Sequence, residues 1–258
     1  LKAYWGPSMG NLGITDIEDQ QIVWQTLAEE GFDGVLVGHF ESLDFMDDDR
    51  YNPHDPETWS RICRPKEVEI DSYKQGIEMA GEVKFHGTIH VAHVSTIEVA
   101  DLIHNYQGSL QLRSGVTPHH LLLNNTSLAG EHAAWYKCNP PLRNEETKKG
   151  LLERLLRGEI PLIESDHAPH TVNDKLNLPS GTLPASGIAN GWVWPYLIQY
   201  LQEHEMPEEK IRDATFNNAV GMYNLNIEPR TTEVDWKKLE ELRRSYPFDA
   251  FRGIFPSV

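Results

Sequence analysis

The sequence predicts an α/β protein built on a parallel sheet. Short apolar segments alternate five times with longer segments in which apolar residues recur every three to four positions. This alternation is typical of parallel strands joined by helices. The chain has 258 residues, of which 39% are hydrophobic and 24% charged. That length and that balance are typical of a globular domain with a sizeable core.

Five segments have the apolar composition and the short length of buried strands. They are residues 1–5, 33–40, 87–94, 110–120 and 159–166. The last one lies in the stretch IPLIESDHAPH, where an apolar run stops at acidic residues and histidines. In a barrel of parallel strands, catalytic residues lie at the carboxyl ends of the strands, so this stretch is either a functional strand end or a polar turn before a helix.

Helical spacing of apolar residues predicts the connections between the strands. The predicted helices are residues 16–30, 67–80, 96–106, 145–157, 190–204 and 207–223. In the first helix Ile17, Trp24 and Leu27 recur at helical spacing, and Gly31 ends it. Ser95 is the predicted N-cap of the third helix.

Two segments depart from the alternation of strands and helices. Residues 43–66 are acidic and contain proline, which predicts a long functional loop with a short helix. Residues 226–258 are irregular apart from a short helix at 236–244. The five β-α units in between fit either a doubly wound sheet or the last five units of a (β/α)₈ barrel whose first three units lie outside this chain.

Composition excludes several classes of partner. The formal net charge of −16 argues against nucleic acid and anionic membranes, because both require clustered lysines and arginines. No apolar run approaches the roughly 18 residues of a membrane helix. Cys63 and Cys138 form neither a disulfide framework nor a paired-cysteine zinc motif, so we expect a reducing, cytoplasmic setting. No glycine-rich phosphate-binding pattern follows a predicted strand, and the expected partner is a small molecule.

Metal-ligand residues recur at the predicted strand ends. His39 closes the second strand, His93 the third and Asp166 the fifth. Each histidine alone is more often an ordinary polar residue, but three such residues at one rim favour a zinc site. Lys2 accompanies them on the first strand. It is either a surface lysine or, after reaction with carbon dioxide, a carbamate that can bridge two metal ions.

Six motifs, in order along the chain, together resemble dihydroorotases of the amidohydrolase superfamily. They are LKAYWGPS with Lys2, GHFES with His39, IHVAHVST with His93, VTPHHLLL, KCNPPLR and SDHAPH with Asp166. Each motif is weak alone. The order and the spacing of PHHL, NPPLR and DHAPH favour dihydroorotases over the related hydantoinases and allantoinases.

The resemblance implies a TIM barrel of the metal-dependent amidohydrolase type that binds one or two zinc ions. It implies that residues 1–225 are the C-terminal part of the catalytic barrel and that residues 226–258 lead toward a small β-domain. Lys2 matches the carboxylated lysine that bridges the metals, and His39 and His93 match ligands of the second metal. Asp166 matches the ligand that also serves as general base and acid.

The resemblance also implies a substrate and the residues that bind it. Asn139, His170 and Gly187 match positions that contact substrate. The implied reaction is the reversible cyclisation of N-carbamoyl-L-aspartate to L-dihydroorotate, a step of pyrimidine biosynthesis, in a homo-oligomeric enzyme. The family's HxH pair and the arginine that follows it have no match here, so we expect a fragment that is inactive alone. A non-catalytic dihydroorotase-like subunit and another cyclic amidase remain the alternatives.

Overall fold

The computed structural model describes residues 1–7, 12–130, 132–179, 182–230 and 232–255. Its centre is a five-stranded sheet in which every neighbouring pair is parallel and the spatial order follows the chain. The strands are β1 (Lys2–Trp5), β2 (Val35–Phe40), β3 (Thr88–Val91), β4 (Gln111–Val116) and β5 (Leu162–Ile163). The predicted parallel α/β fold is therefore confirmed. β5 is much shorter than its predicted segment, because backbone pairing with β4 is limited to two residues.

Ten α-helices accompany the sheet in the described part of the chain. They are α1 (Ile17–Glu29), α2 (Lys66–Glu82), α3 (Ile97–His104), α4 (Pro118–Leu122), α5 (Glu145–Arg157), α6 (Val172–Lys175), α7 (Trp194–Glu203), α8 (Glu208–Arg212), α9 (Asn218–Met222) and α10 (Trp236–Ser245). The predicted helix at 145–157 is confirmed to the residue. A π-helical turn, Asp213–Asn217, joins α8 to α9 within the predicted helix at 207–223.

The N-cap predicted for α3 is wrong by one residue. Thr96, not Ser95, has the extended backbone of a cap, and its side chain accepts a hydrogen bond from the N–H of Val99. Ser95 instead donates its hydroxyl to the buried carboxylate of Glu69 on α2, at 2.5 Å. Ser95 therefore joins α2 to the end of β3.

The two faces of the sheet differ in character. On β1, Ala3 and Trp5 are buried in the hydrophobic core, whereas Lys2 and Tyr4 alternate with them and are more exposed. Trp5 stacks on Trp24 of α1, with ring centroids 5.2 Å apart. One face thus packs against helices. The other face carries the polar residues that the strands direct away from the core.

The long loop after β2 is held against the rest of the fold. It contains short 3₁₀ turns at Leu43–Phe45 and Asp48–Arg50 and a π-helical turn at Trp59–Cys63. The indole N–H of Trp59 donates to the carbonyl oxygen of Cys138 at 3.0 Å, and the Ser60 hydroxyl donates to the carbonyl of Leu142 at 2.6 Å. These contacts fix the loop beside the segment that contains the KCNPPLR motif.

The segment after α9 returns to the core. Phe251 and Phe255 are buried and pack edge-on against Trp192, with ring centroids 5.7 and 6.3 Å from its own. The division of the chain at residue 225 stays a prediction. No helix in the described ranges is both long enough and apolar enough to cross a membrane.

Candidate active site

The two histidines predicted at the strand ends face each other. His39 is the penultimate residue of β2, and His93 follows β3 by two residues. Nδ1 of His39 is 3.0 Å from Nε2 of His93, and the ring centroids are 4.7 Å apart. Both rings are buried. Two imidazole nitrogens therefore meet at the carboxyl end of the sheet.

A buried carboxylate fixes the ring of His39 from behind. Oε2 of Glu41 lies 2.9 Å from Nε2 of His39 and 2.5 Å from Nη1 of Arg64. Burial alone would raise the pKa of Glu41, but Arg64 and then His39 lower that pKa to about 2. Glu41 is therefore ionised and accepts the Nε2 proton of His39. This tautomer leaves Nδ1 of His39 as an electron-pair donor directed at His93.

Lys2 and Asp166 share the electrostatic environment of this histidine pair. Burial raises the pKa of Asp166, an effect that Lys2 and His39 oppose and that Glu164 reinforces. Burial of the amine lowers the pKa of Lys2, and the negative charges of Asp166 and Glu164 act in the opposite direction. The residue as a whole is nevertheless exposed to solvent. Lys2 and His39 therefore act electrostatically on Asp166, and the same two residues act on His93.

Lys2 does not lie where the sequence placed it relative to its strand. It opens β1 and pairs in register with Val37, whereas His39 pairs with Tyr4 farther along. Lys2 therefore begins its strand rather than ending it, and its place among the metal ligands stays a prediction. Its amine lies 5.1 Å from the centroid of the Tyr4 ring, so the side chain extends along the strand toward the histidines.

Backbone strain is concentrated at two predicted site residues. His93 and Asp166 have φ values of 42° and 43°, in the left-handed region that non-glycine residues seldom adopt. Such a conformation costs roughly 1–3 kcal/mol and is found mainly where function requires a particular side-chain direction. In both cases the chain leaves a strand and turns sharply at the residue that would bind metal.

Glu164 was not predicted as a site residue. Its Oε2 is 2.8 Å from Nε2 of His90, and its Oε1 accepts a hydrogen bond from the backbone N–H of His93. The carboxylate also lies where a side chain at Gly115 would be, since a Cβ built there falls 2.5 Å from Oε1. Glu164 therefore holds the turn that presents His93.

The predicted substrate-binding residues form a second group. Nε2 of His170 lies 3.1 Å from the carbonyl oxygen of Ser186, and a Cβ built on Gly187 would fall 2.7 Å from the same nitrogen. The N–H of Gly187 donates to the carbonyl of Lys137 at 2.9 Å. Asn139 is two residues farther along, and its Oδ1 is buried without a hydrogen-bond partner among the described residues. An unpaired buried amide oxygen is a group that a ligand could satisfy.

Lys137 is a further basic group beside these residues. Its amine donates to the Ser186 hydroxyl at 2.6 Å and lies 3.5 Å from the centroid of the Trp59 ring. Burial, and then the nearby Arg64, lower the pKa of Lys137 to about 7. A lysine with this pKa is partly uncharged near neutrality, and it binds its surroundings through a hydroxyl and an aromatic face.

The two histidine donors have a spacing that fits a zinc ion. With Zn–N bonds of about 2.0–2.1 Å, two tetrahedral nitrogen ligands lie roughly 3.3 Å apart, close to the spacing of Nδ1 of His39 and Nε2 of His93. The ionised carboxylate behind His39 is the partner that orients a metal-bound imidazole. Among the described residues, no carboxylate oxygen of Asp166 lies within 4.8 Å of donor atoms of both histidines, so Asp166 must move closer to share an ion with them.

Some of these partners carried signals in the sequence. Glu41 follows His39 by two residues on a strand, the spacing that places two side chains on one face. Glu164 directly follows β5 and precedes Asp166 by two residues, the same spacing. Arg64 gave no such signal, because its contact with Glu41 spans 23 positions across the long loop.

Similarity to curated proteins extends over the whole chain. A dihydroorotase of Halobacterium salinarum is 28% identical over 277 residues, which cover 100% of this chain and 62% of that protein. A dihydroorotase of Staphylococcus aureus is 32% identical over 163 residues, 60% of this chain and 38% of its own length. No family model matches. The chain thus spans less than two thirds of the relatives that it matches.

Solved structures share the fold. A dihydropyrimidinase from Brevibacillus agri superposes with a TM-score of 0.75 at 20% identity, over 91% of this chain and 52% of its own. A D-hydantoinase from Thermus sp. superposes with a TM-score of 0.73 over the same shares. The resemblance to dihydroorotases that the motifs indicate is confirmed, and the chain has the α/β-barrel fold of the amidohydrolases over about five β-α units.

Proposed function

We propose that this chain forms part of a zinc-dependent cyclic amidohydrolase that interconverts N-carbamoyl-L-aspartate and L-dihydroorotate in the cytoplasm. The observation that carries the proposal is the pairing of His39 with His93, together with Asp166, in a chain similar to dihydroorotases along its whole length. A protein that hydrolyses cyclic amides needs ligands for a Lewis acid and a residue that moves protons, and these side chains supply both.

His39, His93, Asp166 and a carboxylated Lys2 would hold the metal. When bound, zinc would polarise the ring carbonyl and lower the pKa of the attacking water. Carboxylation of Lys2 requires a neutral amine, which forms a new N–C bond to carbon dioxide and releases a proton. Burial favours the neutral amine, since it lowers the pKa of Lys2.

Asp166 would move the proton. In the hydrolytic direction its carboxylate takes a proton from the attacking water and returns it to the amide nitrogen that leaves the carbonyl carbon. A general acid must hold that proton between the two steps. Burial assists because it raises the pKa of Asp166 and so favours the protonated form.

Three residues would orient the substrate. The unpaired Oδ1 of Asn139 can accept a hydrogen bond from a ring N–H. Nε2 of His170 donates to Ser186, so the imidazole can donate from Nδ1 to the substrate carboxylate when both ring nitrogens are protonated. The N–H of Gly187 is already bonded to Lys137, so its contribution would come from the carbonyl oxygen. A side chain at position 187 would collide with His170, which explains why glycine is needed there.

Substitution of Asp166 by asparagine tests the proposal. In the complete enzyme, Asp166→Asn should lower the turnover of dihydroorotate by roughly 10²–10⁴-fold, because an amide cannot shuttle the proton. Turnover and circular dichroism are measured together. Asp33→Asn, at an exposed position, is the control and should keep full activity.

Metal analysis separates this function from the alternatives. Stoichiometric zinc with turnover of dihydroorotate would support a dihydroorotase. Zinc with turnover of a hydantoin or of allantoin alone would assign another cyclic amidase. Absence of both zinc and turnover from the complete protein would identify a non-catalytic dihydroorotase-like subunit.

A further inference from the structure

A second group of metal-ligand side chains lies in the interior and shares no residue with the proposed active site. His119 and His120 belong to α4, and Cys138 lies in the segment before α5. One ligand atom from each lies within 4.8 Å of the ligand atoms of the other two. None of the three residues is more than 3% exposed. Two imidazoles and a thiol form a donor set typical of zinc and other thiophilic cations.

His119 has no protein partner for its ring. Neither Nδ1 nor Nε2 has a hydrogen-bond partner among the described residues, although both atoms are fully buried. Leaving a buried polar group unpaired costs about 1–3 kcal/mol, so such groups usually have a ligand, an ion or a water molecule. The ring of His119 lies against that of His120, with centroids 4.7 Å apart. The unpaired imidazole is therefore at the edge of the cluster.

The carbonyl oxygen of Pro140 lies between the other two donors. The Cys138 thiol donates to it at 3.3 Å, and Nε2 of His120 lies 3.1 Å from it. Nδ1 of His120 is 2.8 Å from the hydroxyl of Thr117, the N-cap residue of α4. The Pro140 carbonyl oxygen thus accepts hydrogen bonds from both donors. A cation bound at this point would take the place of the two hydrogen atoms.

We propose that His119, His120 and Cys138 bind a thiophilic divalent cation of the zinc class, with the Pro140 carbonyl as the fourth donor. Binding would release the thiol proton of Cys138 to solvent. The proton on Nε2 of His120 would move to Nδ1, where it donates to Thr117. A tetrahedral zinc ion has ligand atoms roughly 3.3–3.7 Å apart, so the cluster must contract by about 1 Å.

The ion would have a structural role. It would join α4, which follows β4, to the segment that carries Asn139, one residue beyond Cys138. Trp59 already holds this segment through the carbonyl of Cys138. A metal bound to Cys138 would add a second attachment beside Asn139. The proposal does not depend on the amidohydrolase activity, because it rests on a different set of side chains.

Cobalt(II) spectroscopy tests the site. The protein is produced in zinc-depleted medium supplemented with cobalt, and its near-ultraviolet absorption is recorded. A thiolate bound to cobalt gives a charge-transfer band, whereas the ligands proposed for the active site contain no sulfur. The band should appear in the parent protein, which should bind about one cobalt ion at this site. Both the band and that cobalt ion should be absent from Cys138→Ser.

Two further variants make the result specific. Cys63→Ser removes the other buried cysteine and should keep the band. His119→Gln should shift or abolish it, while circular dichroism reports whether each variant is folded. A parent protein without the band, or a band that survives in Cys138→Ser, would overturn the proposal. So would a band lost on substitution of Cys63 instead.

Discussion

At the scale of the residue, a chain of buried charged contacts holds the imidazole of His39. Arg64 bonds both Glu41 and Asp48, and Glu41 in turn bonds His39. Glu41 is fully buried, and its charge is compensated within the protein. A carboxylate in this position sets the tautomer and the direction of a metal ligand, and removal of such a partner commonly weakens metal binding by about 10- to 100-fold.

We therefore expect Glu41→Gln to lower the zinc affinity of the protein by about 10- to 100-fold. Glutamine has nearly the same shape but offers no charge to His39 or Arg64. Affinity is measured by competition with a chelator, and thermal unfolding is followed in parallel. Asp49→Asn, on the same loop but exposed, is the control and should bind zinc like the parent. Unchanged affinity in Glu41→Gln would show that Glu41 does not orient a ligand.

Lys137 predicts a pH dependence of stability. Its pKa is about 7 in the folded protein and 10.5 when unperturbed. Between these values the unfolded chain binds a proton that the folded protein does not, so the free energy of unfolding should rise with pH by up to about 1.4 kcal/mol per unit. Lys137→Met should reduce this rise and leave the smaller contribution of Lys175, whose pKa burial lowers to about 8. Urea unfolding at several pH values between these two limits measures the slope.

The exposed Lys74 on α2 provides the matched control. Lys74→Met should retain the slope of the parent, because an exposed ammonium is hydrated in both states. Equal slopes in the parent and in Lys137→Met would contradict a desolvated amine at position 137.

At the scale of the element, α5 shows how local chemistry fixes a boundary. Asn144 caps its first turn by accepting from the N–H of Thr147, and Gly158 ends it with φ 83°. A Cβ at Gly158 would meet no atom within 4 Å, so conformation alone requires glycine there. The boundaries of this helix are therefore encoded within its own sequence.

Two glycine substitutions should have opposite effects on stability. Gly158→Ala should lower the free energy of unfolding by about 1 kcal/mol, since alanine resists the left-handed conformation. Gly81→Ala, in α2, should raise it by about 0.5 kcal/mol, because that position is helical and equally open. Urea unfolding of both variants decides. Changes of the same sign would refute the conformational explanation.

Sequence reasoning predicted α5 and the parallel order of the strands because both depend on local pattern. It did not give the position of Lys2 within β1, which depends on the register with Val37. It also failed at Ser95, which lost the capping role to Thr96 because Glu69 of α2 binds its hydroxyl. Register and contacts between distant segments are properties of packing, and a single sequence does not display them.

The candidate site follows the same division. The residue types His39, His93 and Asp166 were visible in the sequence, whereas the left-handed turns at His93 and Asp166 and the partners Glu41 and Glu164 were not assigned. His119 and Cys138 are a clearer case. They are 19 positions apart, and only the fold of α4 against the following segment brings them together. The ligand spacing of such a site has no fixed sequence signature.

At the scale of the whole molecule, charge opposes the association of identical copies. Each chain carries a formal net charge of −16. The homo-oligomer that the resemblance to dihydroorotases implies must therefore bury surface against electrostatic repulsion. Apolar side chains are available for this purpose, since Leu1, Leu12, Ile22 and Ile227 are all more than half exposed. Repulsion between exposed charges is screened by salt, whereas hydrophobic contact is not.

We therefore expect association to strengthen as ionic strength rises. Sedimentation velocity at about 10 mM and about 150 mM salt compares Debye lengths of roughly 30 and 8 Å. At the higher salt concentration the protein should sediment with a mass at least twice that of the 29.4 kDa chain. At the lower concentration the population of the single chain should increase, because two acidic surfaces then repel each other over a longer distance.

The double variant Ile22→Lys with Leu12→Lys should reduce association at both concentrations if these side chains lie in the interface, and should leave it unchanged otherwise. A single-chain mass at both salt concentrations, or association that weakens with salt, would contradict a homo-oligomer held together by apolar contact.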